Sequence, residues 1–152
     1  MDLLRFVALV VVGFVACAEF GSYAFVHPVV RRLPAEHHIA VEQGLLRTFG
    51  RVMPALMPAS LALGVAHAIA VTGDGAGQTA AAWAAAASLA VANVTTVIFN
   101  VPINLATGRW DPVDPPADWQ ATRQRWERFQ AIRSWLLLAG FVLLCAAVAL
   151  DA

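Results

Sequence analysis

Lysine is missing from this chain: all ten of its basic residues are arginines. Charge of either sign is scarce, at 13% of residues, where a soluble domain carries about a quarter. Ten acidic residues balance the arginines to a net charge of zero, and no basic patch is interleaved with aromatics. That argues against nucleic acid as a partner. Cysteine occurs twice, at Cys17 and Cys145, without a CxxC pair, so thioredoxin-like and zinc-ribbon signals are lacking. Phosphate-binding loops, dinucleotide fingerprints, nucleophile elbows, HExxH and HxxxH are also lacking. The adjacent His37 and His38 diverge by about 100° on a helix, and His27 and His67 belong near opposite faces of the bilayer. No metal and no cofactor is therefore expected.

What the chain does have is apolar surface, with 60% hydrophobic residues and a mean hydropathy of +0.69. Four apolar runs stand out, at 3–26, 52–71, 79–103 and 135–150. The first three are long enough to cross a hydrocarbon core of about 30 Å at 1.5 Å per residue. The fourth is shorter, but Pro115-Pro116-Ala117-Asp118 starts its helix earlier, with Asp118 as N-cap. Pro34 likewise opens the second helix ahead of its apolar run. Helices are expected at about 3–26, 35–72, 79–104 and 118–150, in a single four-helix transmembrane domain over residues 1–152. The fold class is all-α, an integral membrane antiparallel four-helix bundle. Helices two and four extend on the cytoplasmic side and pack as a short stalk. Small residues at Gly13/Cys17/Gly21 and Ser60/Gly64/Ala68 suit close helix approach, and Pro54 and Pro58 are expected to kink helix two. The third connection carries three prolines between Trp110 and Trp119, a stiff loop at the interface.

Nine of the ten arginines fall in connections one and three or their flanking helix ends, while Gly73–Gln78 has none. By the positive-inside rule those two connections are cytoplasmic and both termini lie outside the cell membrane. A rival reading takes the first run as a cleaved signal peptide, with Ala16-Cys17-Ala18 as the small-residue site. It conflicts with the arginine pattern, because a signal peptide enters with its N-terminus inside.

The candidate site is a set of polar residues inside these runs. Asn93, Thr96, Asn100 and Asn104 form one stripe on an otherwise apolar helix, and amides there need partners that hydrocarbon cannot provide. Glu19 lies about two turns inside the cytoplasmic end of helix one, followed by Tyr23 and His27 at i+4 and i+8. On helix four, Trp119, Trp126, Gln130 and Arg133 project to one side, and Arg133 matches the depth of Glu19 as its counter-ion. The plain alternative is that the stripe only joins helices and Glu19 only pairs with an arginine.

Asn100-Val-Pro-Ile-Asn104, the Trp-containing helix with Gln130-Ala-Ile-Arg133-Ser, and His27-Pro28…Arg32-Leu-Pro34 resemble the anthrone oxygenase-like family over nearly the whole chain. The resemblance implies a small four-helix membrane protein and, by analogy with fungal members, transfer of oxygen from O₂ to an anthrone ring. That chemistry needs a base, donors for a phenolate oxygen and exclusion of bulk water, but no cofactor. Glu19 is then the expected base, with Asn100, Asn104 and Arg133 holding the oxygens. Tyr23, His27, Asn93, Thr96, Trp126 and Gln130 would contact the substrate. The partners expected are a lipophilic small molecule and the lipid bilayer, with a homo-oligomer left open. The alternative function is non-catalytic, a partner-binding subunit or small transport accessory whose amide stripe stabilises the bundle.

Overall fold

The computed structural model describes residues 3–150; Met1, Asp2, Asp151 and Ala152, part of the expected domain over 1–152, lie outside them. Four long helices account for the described chain: α1 (Leu3–Val30), α2 (Ala35–Ala70), α3 (Ala76–Thr107) and α4 (Trp119–Ala149), all long and apolar enough to cross a membrane. There are no strands among the described residues. Each helix packs on the two that neighbour it in the closed order α1–α2–α3–α4, so the fold is an antiparallel four-helix bundle. Its outer surface is apolar, with Leu3, Phe6, Val10 and Phe14 of α1 and Val94, Val97 and Ile98 of α3 all exposed. Such a surface suits lipid, where the backbone must be satisfied within each helix.

The core is built by small residues meeting large ones. Leu89 of α3 is fully buried, and its side chain fills the space left by two glycines on opposite neighbours. A Cβ on Gly64 of α2 would come within 2.9 Å of Leu89, and one on Gly140 of α4 within 3.1 Å. Gly13 of α1 makes the same accommodation for Phe141 of α4, at 2.9 Å. Of the two expected small-residue rows, Gly13 and Gly64 therefore lie at helix contacts. Cys17 is exposed and Gly21 faces open space, because an i, i+4, i+8 row drifts about 40° per step off the contact line.

Proline shapes two helices at the arginine-rich end of the bundle. Pro28 has no N–H and its ring would strike the carbonyl four residues back, so the turn before it widens into a π-turn over Ser22–Val26. There the His27 N–H bonds to the Ser22 carbonyl. Pro102 does the same to α3: Thr96–Asn100 is a π-turn closed by the Val101 N–H on the Thr96 carbonyl. Pro54 and Pro58 sit inside α2, which is helical along its whole length.

At the same end, the extensions of α2 and α4 are diagonal in the bundle rather than packed side by side as a stalk. Long side chains bridge them: Arg123 reaches Glu42, and the His38 ring meets Trp119 at 5.3 Å. Gln43 of α2 donates to the Thr107 and Trp110 carbonyls at 3.0 and 2.8 Å, satisfying the C-terminal end of α3. Asp118 takes the N-cap position of α4, but its carboxylate makes no capping bond and instead accepts from the Thr122 hydroxyl at 3.4 Å. At the opposite end Gly73 adopts φ +103°, a left-handed turn open to glycine, between α2 and α3.

Candidate functional site

Between the core and the arginine-rich end lies a cavity of about 230 Å³ to which all four helices contribute. Phe49, Met53 and Met57 of α2 give it an apolar wall, and the two π-turns bring Ser22, Thr96 and Val97 to its edge. Pro54 and Pro58 lack the N–H that would bond the Gly50 and Pro54 carbonyls, and Gly50, Pro54 and Pro58 all line the space. Val97 (64% exposed), Val101, Pro54 and Pro58 are exposed on the outside of the bundle, so the mouth opens between α2 and α3 within their apolar runs.

One polar cluster closes the α1–α4 side. Glu19, 2% exposed, accepts from Arg133 Nη2 at 2.7 Å and from Gln130 Nε2 at 3.0 Å, both on Oε2. Arg133 also donates to Gln130 Oε1. Ser134 donates to the Glu19 backbone carbonyl at 3.2 Å. The depth match between Glu19 and Arg133 thus becomes a buried ion pair. Both donors thus converge on one carboxylate oxygen, one of them charged.

A second cluster lies nearer the helix ends, and it holds residues that sequence reasoning passed over. Glu42 of α2 is 3% exposed and sits at the meeting point of three basic side chains. Arg123 Nη2 is 2.7 Å from its Oε1, His27 Nδ1 3.3 Å and His38 Nε2 3.8 Å. Trp126 joins the group, its ring 4.8 Å from the His27 ring and 4.2 Å from the Arg123 guanidinium carbon. Among the described residues no group of three His, Cys, Asp or Glu is arranged to hold a metal ion.

The amide stripe is divided. Asn93, Thr96 and Asn104 line the cavity, but Asn100 does not. The π-turn adds a residue between Thr96 and the next inward position, so Val101 takes the cavity wall instead. Asn100 is fully buried and donates to the Trp126 carbonyl of α4 at 3.3 Å, beside the stacked rings of Phe99 and Phe129. Asn93 donates to the Leu89 carbonyl at 2.9 Å and across to Met57 of α2 at 3.3 Å. The first π-turn breaks the Glu19–Tyr23–His27 row in the same way. Ser22 takes the cavity wall, while Tyr23 packs edge-on to Phe20 and faces a second, polar groove between α1 and α4. Of the ten residues singled out from sequence, Glu19, His27, Asn93, Thr96, Asn104, Trp126, Gln130 and Arg133 come together at the cavity.

A sequence model described as anthrone oxygenase matches residues 45–143, about two thirds of the chain. The chain belongs to the anthrone oxygenase family. No curated protein and no solved structure gives a significant match. The family match contains Asn93, Thr96, Asn104, Trp126, Gln130 and Arg133, and leaves α1 with Glu19 and His27 outside it, as well as Glu42. It is therefore narrower than the near-complete resemblance expected from the His27-Pro28 turn. Membership carries the four apolar helices and the oxygenase association together; the residues of the site rest on their geometry.

Glu42, His38 and Arg123 were missed because they precede the apolar runs of α2 and α4, where charged residues read as solvent-facing. A signal was present. The buried face of α2 at Met57 and Met53, followed backwards at helical spacing, passes Phe49, Leu46 and Leu45 and lands on Glu42, Ile39 and His38.

Proposed function

We propose that this member of the anthrone oxygenase family oxidises a lipophilic, anthrone-like aromatic with O₂ inside the cavity between α2, α3 and the two polar clusters. The observation that carries the reading is a largely apolar cavity whose lining residues include buried polar atoms left without a partner. Trp126 Nε1 is a buried donor without a partner and Asn104 Oδ1 a buried acceptor without one, among the described residues, and both residues line the cavity. Arg133 Nε is unpartnered as well. Unsatisfied buried groups cost about 1–3 kcal/mol each, and a ligand bearing a phenol and a ketone supplies both kinds of partner.

The reaction converts a benzylic CH₂ to a carbonyl: one oxygen atom of O₂ goes to carbon, and the other leaves as water with the two hydrogens. Loss of the first benzylic proton gives an enolate that reduces O₂ directly. The protein's part is to collect the substrate, hold the enolate oxygen near Arg133 and Trp126, and keep bulk water out. Glu19 fits the role of fixing Arg133 and Gln130 better than that of base. Taking a proton on Oε2 would break its ion pair and leave a buried guanidinium uncompensated. The end of the bundle that carries nine of the ten arginines is taken as cytoplasmic, with both termini outside.

The non-catalytic reading draws support from Asn93 and Asn100, whose amides bond carbonyls of neighbouring helices. Oxygen uptake by membranes given anthrone decides between the two. Uptake above that of empty membranes, abolished in Asn104→Ala at equal expression, is the expected result. Equal uptake in empty and protein-containing membranes would reject the oxygenase.

A further inference from the structure

The cavity has a second neighbour. Against its α1–α4 wall lies the polar groove of about 320 Å³ that holds Tyr23, and its rim includes the exposed Arg31, Gln124 and Arg128. His27 and Gln130 line both spaces. Gln130 is committed to Glu19 and Arg133. Among the described residues, that leaves His27 as the one titratable side chain shared by the apolar cavity and the polar groove.

The surroundings of the ring are specific. His27 is 4% exposed, and its ring lies tilted against Trp126 with the centroids 4.8 Å apart. From α2, Glu42 Oε1 lies 3.3 Å from Nδ1, with His38 behind it on the same oxygen. From α4, Arg123 sits on Glu42, and Glu127 faces the groove, paired to Arg31 at 3.4 Å. A carboxylate 3.3 Å from Nδ1, at ion-pair distance without hydrogen-bond geometry, favours the ring proton on that nitrogen and leaves Nε2 as the free lone pair. Arg123, anchored over Trp126, fixes the carboxylate in turn.

We propose that His27 is the base that removes the substrate's benzylic proton, that Glu42 is its positioning residue, and that the proton leaves through the α1–α4 groove. This rests on the oxygenase reading and supplies its missing group. In the step, the benzylic C–H bond breaks and an N–H bond forms at His27 Nε2. The electron pair stays on the substrate as the enolate, and the positive charge on the ring faces Glu42. Release to the groove returns His27 to its starting form without water entering the cavity.

Proton removal can be measured apart from oxygen chemistry. Anthrone incubated anaerobically in D₂O with proteoliposomes gains deuterium at its benzylic carbon, read by mass spectrometry against protein-free liposomes. Wild-type protein is expected to accelerate this exchange, and His27→Ala to lower the acceleration about a hundredfold, the scale of a lost general base. Added imidazole restores the His27→Ala rate, which repacking alone would not do. Glu42→Gln is expected to lower the maximal rate about tenfold with the half-saturating anthrone level unchanged, the separation expected of a group that orients a base. Glu36→Gln, an exposed acid at the start of α2, exchanges like wild type. Should His27→Ala not fold, His27→Gln takes its place, with the melting temperature as the check. Wild-type exchange matched by the His27 variant would overturn the base and leave the oxygenase standing. Wild type with neither exchange nor oxygen uptake would sink the oxygenase reading itself.

Discussion

Arg133 and Glu19 were paired by depth alone, Arg133 as the last charge before its apolar run and Glu19 as an acid about two turns inside another. Sequence suffices for that, because a lone ion inside a bilayer has few ways to be accommodated. The pair's cost of disruption is correspondingly high. Arg133→Met leaves Glu19 buried with only Gln130 as donor, and unfolding in detergent should lose about 3–5 kcal/mol of stability. Adding Glu19→Gln to that variant should recover most of the loss; a double variant no better than the single would mean that the two side chains are not coupled. Glu42 was not legible in the same way. Its position ahead of the apolar run reads as wet, and only the fold brings His27, from another helix, to within 3.3 Å of it. Burial at the end of a bundle depends on what the neighbouring helices reach, which no single helix encodes.

At the level of elements, helix starts at Pro34 and Asp118 could be read because proline and N-cap chemistry are local. The π-turns could not be read with the same ease. Pro28 and Pro102 signal a lost hydrogen bond, but whether a helix ends, kinks or widens there depends on packing around it. Pro54 and Pro58 of α2, by contrast, lie within a stretch that is α-helical throughout. The consequence is functional, since a widened turn moves each following side chain by part of a turn. Pro102→Ala permits the regular i→i+4 ladder to close, which would carry Asn104 away from the cavity. Oxygen uptake is then expected to fall at least about tenfold, since small misplacements at a site cost that much, with the melting temperature unchanged or raised. Full activity in Pro102→Ala would show that packing, not proline, maintains the π-turn.

The molecule as a whole is an inverted object by soluble standards, with charge inside and apolar side chains outside. Composition announced this plainly, since so few charges on so apolar a chain leave little choice. The closed order of four helices followed from short connections between antiparallel neighbours. The cavity did not follow from it, because it arises where two π-turns and two prolines on three helices reach one level.

On the oxygenase proposal, the mouth between Pro54, Pro58, Val97 and Val101 would give the reaction two-dimensional kinetics. A substrate that arrives sideways through the bilayer is counted in molecules per lipid, not in moles per litre of buffer. Blending inert phospholipid into the proteoliposomes, at fixed amounts of protein and anthrone, should therefore slow turnover in proportion to the added lipid below saturation. A rate that ignored the dilution would assign substrate uptake to the water-facing end of the bundle. If it obeys, membrane area itself sets the pace, and a cell that spreads its membrane without making more substrate slows the enzyme without touching it.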